Sequence, residues 1–307
     1  MNLSDSHFIL INPTSSIGRS ERKIKKLLKE FELAGLKCEY RISENIEAYY
    51  AYISEALSTG FKRIVTVGGD GSMHHTVNAV LKTPNIDYAK IKLGLISCGT
   101  GNDWIKSHVL PSSMEKMVKI IANDHTVSQE VGLIENENLE HYFINMAGMG
   151  FNGYLINKIN HLKWFGEMAY FLGMTLGLFA YKAQSMRVSM GNSKLESNNF
   201  MVSVGIGKYA GGGMALCPNG DLRDGLLEIT LIKDLNVLDF VFNIFSLKSG
   251  KFIRHPKVET YQTKSLTIEP LKKESSIFCE ADGEFIGRGK TTFSISPHVL
   301  NIYNQLQ

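Results

Sequence analysis

Through residues 1–125, short apolar runs alternate with amphipathic stretches. Residues 7–11 (HFILI) form the compact apolar run that a buried strand needs. From Arg19 to Leu33 the positions Ile24, Leu27, Leu28 and Phe31 recur at helical spacing, and Gly35 stands where a helix would end. Residues 36–42 read as a strand. Ala48, Tyr52, Ile53, Ala56 and Leu57 mark a second helix that closes near Gly60. Residues 63–67 (RIVTV) are β-branched and run straight into glycines, and residues 91–96 (IKLGLI) repeat that design. Strands alternating with helices predict parallel strands joined by right-handed crossovers, hence an α/β layered domain.

From about Val127 the texture changes. The strand-like runs HYFINMAGMGF, SMRVSM, NFMVSVGIG, LLEITLIK, SLTIEP and SIFCEA follow one another with turn residues between them. Helical stretches are expected around residues 152–182 and 236–248. The pattern predicts a mainly antiparallel second domain with helical insertions. The expected division is 1–126 and 127–307, with the segment 293–307 able to pack back on the first domain. There is no internal repeat and no low-complexity linker.

Composition narrows the class. With 307 residues, 44% hydrophobic and 21% charged, the chain is ordinary globular material and not a disordered, collagenous or coiled-coil sequence. Lys+Arg less Asp+Glu is 33 − 30 = +3, too small to imply a nucleic-acid partner by itself. That balance suits an anionic substrate or an anionic membrane surface and chooses neither. Cys38, Cys98, Cys217 and Cys279 show no CxxC and no metal-ligand spacing, so free thiols in a reducing compartment are expected. The N-terminal MNLSDSHFILINP lacks the shape of a signal peptide. The longest uncharged apolar stretch, 168–181, falls short of the roughly 18 residues of a spanning helix. The expected location is therefore cytoplasmic.

Two loops carry the candidate chemistry. A buried strand enters Gly68, Gly69, Asp70 and Gly71, and Ser72 opens a helix through Val77, Val80 and Leu81. Glycines at the C-terminal end of a strand let backbone N–H groups approach phosphate oxygens, and the following helix N-terminus adds a favourable dipole. Ligands of α/β sheets lie at that edge. A tight turn needing only positive φ would use similar residues. The loop matches neither GxxxxGK[ST] nor GxGxxG, which disfavours a Walker P-loop and a standard dinucleotide site. After the next strand comes Ser97, Cys98, Gly99, Thr100, Gly101, Asn102 and Asp103, a second close-approach loop with a polar pair able to cap a helix.

Ile11-Asn12-Pro13, then GGDGS with Asn78 downstream, then GTGND, resembles the diacylglycerol kinase catalytic family, soluble bacterial lipid kinases related to sphingosine and ceramide kinases. The resemblance runs on through residues 164–170 (WFGEMAY), 217–228 (CPNGDLRDGLLE) and 279–284 (CEADGE), in the family's order. GGDG alone is shared with NAD kinases; GTGND, DGLL and DGE together are more specific. The fold this resemblance implies is an α/β nucleotide-binding domain of the NAD kinase/diacylglycerol kinase type, followed by a mainly antiparallel β-sandwich.

The resemblance also implies roles. Asn12, Pro13, Thr14, Ser15, Ser16, Gly68, Gly69, Asp70, Gly71, Ser72, Met73, His74 and Thr100 would form the ATP site. Ser43 stands near the family's threonine after the second strand, with local spacing one residue short. Asp282 would be the general base and Glu284 would assist or share that role. Asp221, Asp224 and the Leu226 carbonyl would hold a structural Mg²⁺. A hydroxyl attacking a γ-phosphate does need a carboxylate near its proton and cations beside the phosphates. An Asp-Gly-Glu sequence also suits a solvated acidic hairpin, and Asp-Gly before LLEITLI an ordinary turn. Two departures stand out: Ser72 replaces a threonine, which keeps the hydroxyl, and His75 occupies the usual place of a glutamate.

The aromatic and apolar residues 164–181, flanked by Lys158, His161, Lys163 and Lys182, suit an interfacial element, a cleft rim or a core helix. Lys248, Lys251, Arg254, His255 and Lys257 form a second basic cluster that suits anionic headgroups or simply a solvated face. The expected activity is ATP- and Mg²⁺-dependent phosphorylation of diacylglycerol to phosphatidic acid, with transient contact at the inner face of the membrane and a possible homodimer. Alternatives are a kinase for a sphingoid base or for NAD, against which GTGND and DGE argue, and a catalytically silent nucleotide or lipid binder.

Overall fold

The computed structural model describes residues 3–99, 101–137, 139–159, 177, 180–234, 243, 246, 249–272 and 277–305. The chain forms two compact units, Met1–Val131 with Pro297–Gln307, and Gly132–Ser296.

The first unit runs β1 (His7–Ile11), α1 (Glu21–Leu33), β2 (Cys38–Ile42), α2 (Ile46–Thr59), β3 (Arg63–Gly68), α3 (Asp70–Lys82), β4 (Lys92–Ser97), α4 (Asp103–His108), α5 (Met114–Ala122) and into β5 (Thr126–Asn136). The expected boundary at 126/127 therefore falls on the first residues of β5, where the texture change marks a strand. The strands lie in the order β4-β3-β1-β2, all parallel, with His7 opposite Cys38 and Arg63, and Arg63 opposite Lys92. Near the C-terminus, Asn301 and Ile302 add a further parallel pairing beside Lys92 and Leu93. Every residue of β1 is buried, which is why its sequence shows no alternation: helices cover both faces of a parallel sheet. In α1 the buried positions are Ile24, Leu27 and Phe31, and Ser20 caps its start by accepting from the Lys23 N–H. Gly60, at φ +110°, ends α2 in the left-handed region. Parallel pairing puts the C-terminal ends of β1, β2, β3 and β4 at one edge, and the glycine loops leave from it.

The second unit contains β6 (Leu139–Phe143), β7 (Met146–Gly150), α6 (Phe151–Ile159), β8 (Gln184–Met190), β9 (Ser193–Gly205), β10 (Leu227–Lys233), β11 (Val258–Thr263), β12 (Ser265–Pro270), β13 (Phe278–Ala281), β14 (Glu284–Arg288) and most of β15 (Thr291–Tyr303). Its strands pair antiparallel in the order β14-β13-β7-β9-β8-β12-β15, and β10 joins β9 to β11. The long β9 pairs with β8 along its first half, and its second half lies between β7 and β10. The core is built from Met149, Val188, Val202, Val204, Ile229, Leu231, Ile268, Ile277, Cys279 and Phe293, all fully buried. Each such aliphatic or aromatic side chain contributes about 1.5–3 kcal/mol on burial.

One expected strand is two. HYFINMAGMGF breaks between β6 and β7 because the N–H groups of Ile144 and Asn145 turn to a carboxylate instead of a strand partner. It then turns at Gly150 (φ +101°) straight into α6. Of the two expected helices, the first is seen over the residues of α6; the remainder lies largely, and the stretch 236–248 almost entirely, outside the described residues.

Candidate functional site

In the first unit three loops meet at the C-terminal edge of the sheet. Gly69 and Gly99 approach so closely that a Cβ on Gly99 would lie 3.2 Å from the Gly69 Cα, and the Cys98 N–H donates to the Gly68 carbonyl at 2.7 Å. A side chain on Gly99 would crowd the Gly69 Cα, so glycine suits this contact. The third loop follows β1. Asn12 donates through Nδ2 to Ser72 Oγ at 2.9 Å, and its Oδ1 accepts from both the N–H and the hydroxyl of Thr14. Ser15 Oγ accepts from the Gly18 N–H, and Ser15 and Ser16 hydrogen bond with the Cys98 thiol, whose pKa burial pushes up. Pro13 is half-buried in this turn, and Thr14 and Ser16 are exposed.

Asp70 ties the glycine loops together. Its Oδ2 accepts from the Asp103 N–H at 3.1 Å and its Oδ1 from the Trp104 N–H at 3.2 Å, which caps the start of α4. Asn102 holds the left-handed region (φ +54°) while its Oδ1 accepts from the Ser97 hydroxyl. Lys106 reaches back to the Gly101 carbonyl at 2.9 Å and to Asp103. Helix α3 begins at Asp70, two residues ahead of the expected Ser72. Ser72 is supported from below: Tyr49 donates to its carbonyl at 3.1 Å, and the Thr66, Thr76 and Tyr49 hydroxyls form a buried chain.

The other expected residues of this site sit differently. Met73 and His74 are fully buried, and the Met73 N–H bonds to the Gly69 carbonyl, so their side chains face the interior. Ser43 is buried at the end of β2, its N–H donating to the Ile11 carbonyl, one strand further from Gly68 than Asn12. His75 packs between α2 and α3 against the rings of Tyr49 and Tyr50, with Tyr50 Oη 3.4 Å from its Nδ1. Thr100 lies outside the described residues, as do Lys163, residues 164–176 and Lys248.

In the second unit, Asp282 and Gly283 are the two central residues of the β13–β14 turn, both at positive φ (48° and 84°). Asp-Gly is the sequence signature of a two-residue turn with both central residues left-handed. The Asp282 carboxylate accepts three main-chain N–H groups: Ile144 at 2.9 Å, and Asn145 and Met146 at 3.0 Å each. Its own N–H donates to the Met146 carbonyl at 2.7 Å. The turn is thus clamped to the bend between β6 and β7, and Glu284 opens β14 beside it. No sequence signal marked this row of amides, because any residue type supplies an N–H.

Asp221 and Asp224 lie in the loop before β10. Each accepts a backbone N–H two residues on, from Arg223 at 3.1 Å and Leu226 at 3.0 Å, around Gly225 at φ +74°. Glu228, in β10, is buried, and its Oε1 accepts from Asn219. Among the described residues no three His, Cys, Asp or Glu side chains group for a metal. A cation in this loop would therefore rest on two carboxylates and main-chain oxygen. Two carboxylates with main-chain oxygen make a hard donor set of the kind Mg²⁺ takes.

The comparisons with known proteins match both parts of the chain. Residues 6–134 match the diacylglycerol kinase catalytic domain, and residues 145–304 match the YegS C-terminal NAD kinase beta sandwich-like domain. A diacylglycerol kinase of Staphylococcus haemolyticus is 27% identical over 305 residues, covering 97% of this chain and 89% of that one. A diacylglycerol kinase of Mycobacterium tuberculosis is 24% identical over 297 residues, covering 95% and 93%. The crystal structure of a diacylglycerol kinase from Bacillus anthracis superposes with a TM-score of 0.70 at 18% identity, over 98% of this chain and 97% of that one, which speaks for the fold. With an N-terminal α/β domain followed by a β-sandwich, and with both domain models matched in order along the chain, the protein belongs to the diacylglycerol kinase family and is a kinase.

Proposed function

We propose that the protein is an ATP- and Mg²⁺-dependent lipid kinase that phosphorylates the hydroxyl of diacylglycerol to give phosphatidic acid. The observation that carries this reading is the contact of the two glycine loops, braced by Asp70, at the sheet edge where the N-terminus of α3 also opens. Such an edge offers main-chain N–H groups to phosphate with no side chain in the way. In this reading Asn12, Thr14, Ser15, Ser16, Gly68, Gly69, Gly71 and Ser72 hold the ATP phosphates. Curated relatives carry the names diacylglycerol kinase and YegS-like lipid kinase, which supports a lipid acceptor.

In the transfer step the lipid hydroxyl oxygen forms a bond to the γ-phosphorus, and the bond from that phosphorus to the bridging oxygen breaks, releasing ADP. The hydroxyl proton passes to the Asp282–Glu284 carboxylates. Three main-chain N–H groups already occupy Asp282, so it is fixed in place and Glu284 shares the proton. Asp221, Asp224 and the Leu226 carbonyl would hold Mg²⁺, which supplies positive charge and order to the loop before β10. His75 is absorbed by ring packing between two helices, which favours an active kinase over a silent binder. Among the described residues no helix is long and apolar enough to cross a membrane. Exposed Lys251 and Arg254 would meet anionic headgroups from the cytoplasmic side, each contributing about 1 kcal/mol.

The test is transfer from labelled ATP with Mg²⁺ to diacylglycerol in mixed micelles, with a sphingoid base, ceramide and NAD in parallel. Labelled phosphatidic acid is the expected product. Label on another acceptor alone overturns the substrate, and ATP binding without transfer to any acceptor overturns the kinase reading.

A further inference from the structure

The turn that carries Asp282 and Glu284 has a third carboxyl, Glu280, to which the reaction as described gives no part. It lies in β13 with 7% of its surface exposed. Its neighbours Cys279 and Ala281 are fully buried, so three consecutive side chains of this strand are withdrawn from solvent, where alternation would expose every second one. Cys279 and Ala281 face the core, and helix α6 lies against the opposite side of β13, where it covers Glu280.

The covered carboxyl is used. Its Oε2 accepts from the Gly283 N–H at 3.0 Å, closing the turn from within. On the other side it hydrogen bonds with the side chain of Asn152 in α6. Helix α6 can come that close only because Gly153 has no side chain: a Cβ there would lie 2.5 Å from the Phe278 carbonyl carbon and 2.8 Å from the Cys279 nitrogen. Glu280 thus links α6, β13 and the turn.

We propose that Glu280 is a positioning residue for phosphoryl transfer: its buried carboxyl holds the Gly283 peptide against α6 and so fixes where Asp282 and Glu284 present their carboxylates. This rests on the kinase reading above. The charged groups that act on Glu280 are Asp282 and Glu284, both acidic, while the Gly283 N–H and Asn152 supply hydrogen bonds. Burial, reinforced by those carboxylates, pushes its pKa up to about 8, so it carries a proton at neutral pH and can donate as well as accept. Its neighbour Cys279 is raised in turn, by burial first and then by Glu280. Ionising Glu280 would place a third negative charge within one turn, beside Asp282 and Glu284, and that repulsion should loosen the arrangement as pH rises through about 8.

The experiment compares wild type, Glu280→Gln and Glu280→Ala as full-length chains, with labelled ATP and diacylglycerol micelles from about pH 6 to about pH 9.5. Gln keeps an acceptor and a donor but cannot ionise. Ala should lower kcat about tenfold or more while leaving KM for ATP in place, and Gln should recover most of that loss. Wild type should decline above about pH 8, and the Gln variant should not. Wild-type kcat in the Ala variant, a Gln variant as poor as Ala, or a Gln variant with the same alkaline decline would each overturn the proposal.

Melting supplies a readout independent of turnover. The raised pKa means that stability present below pH 4.5 is lost as pH climbs toward about 8, so the melting advantage of Glu280→Gln over wild type should widen across that window. A constant difference refutes the neutral buried carboxyl. If wild type transfers no phosphate to any acceptor, the kinase reading fails while the melting series still decides on Glu280. If the Ala variant does not fold, the Gln profile and the melting series decide.

Discussion

Replacing Asp282 separates its chemistry from its anchoring only if two substitutions are compared. The carboxylate accepts three main-chain N–H groups, at 2.9, 3.0 and 3.0 Å. A hydrogen bond to a charged group is worth about 1.5–3 kcal/mol, so a simple sum would run from about 4.5 to about 9 kcal/mol. The sum overstates the loss, because the site is part-buried and water can reach some of the released amides. Asp282 also sits at φ 48°, where alanine pays about 1 kcal/mol of strain that a short polar side chain partly recovers. Asp282→Ala should therefore destabilise the protein by about 3–5 kcal/mol, at the upper end for a single substitution. Asp282→Asn can keep Oδ1 on Asn145 and Met146 and spoil only the contact with Ile144, at a cost of about 1–2 kcal/mol. If Asp282 also takes the proton, both variants should lose about 10²–10⁴-fold in kcat, since asparagine is no base. Urea unfolding with transfer from labelled ATP, and ATP binding measured separately, reads all three quantities. ATP binding should survive in the Asn variant, because the proposed phosphate contacts belong to the first unit. An Ala variant within about 1 kcal/mol of wild type would refute the anchoring, and an Asn variant with most of its kcat would refute the base.

Three further outcomes follow from other parts of the molecule. Gly153→Ala places a Cβ against backbone on two sides, 2.5 Å from Phe278 C and 2.8 Å from Cys279 N, and should cost about 2–4 kcal/mol with loss of activity; an unchanged unfolding midpoint would show that α6 can shift. Burial depresses the His7 pKa to about 4, so the stability it supports is present above pH 6.5 and lost as pH falls toward 4. The effect is about 3 kcal/mol, and His7→Gln should flatten that limb in urea titrations between those values. Asp224→Ala should lower activity through loss of order in the loop before β10, and added Mg²⁺ should partly restore it; full activity at low Mg²⁺ would refute the metal assignment.

What the sequence made legible is what backbone periodicity writes into side chains. HFILI, RIVTV and IKLGLI announce buried parallel strands because both faces of such a sheet are covered. Glycines at the ends of β3 and β4 announce a close approach, and the Gly69–Gly99 contact is that approach. Asp282-Gly283 was readable as a turn because both positions need positive φ. What the sequence left unreadable concerns partners far away along the chain. HYFINMAGMGF is uniformly strand-like, yet it breaks where Ile144 and Asn145 serve Asp282, more than a hundred residues on. Met73 and His74 follow GGDGS directly, but which face of α3 they occupy depends on how the helix packs, and they are fully buried. The covering of Glu280 leaves no mark either, since it comes from α6, more than a hundred residues earlier.

Asp70 and Asp282 then show one device used twice. Each aspartate stands beside a glycine at the end of a strand, and each spends its carboxylate on main-chain N–H groups of another segment, Asp70 on Asp103 and Trp104, Asp282 on Ile144, Asn145 and Met146. An aspartate is suited to this because its short side chain holds the carboxylate near its own backbone, and the ionised form accepts on both oxygens. The consequence is that both loops are braced by their charges and are not merely solvated by water. Loss of activity in an alanine variant of either residue therefore does not identify a base, because the loop it braces would relax along with it. Retention of activity does discriminate: a fully active Asp70→Asn would leave Asp70 as a brace alone, since asparagine preserves one of its two main-chain contacts but cannot accept a proton at neutral pH.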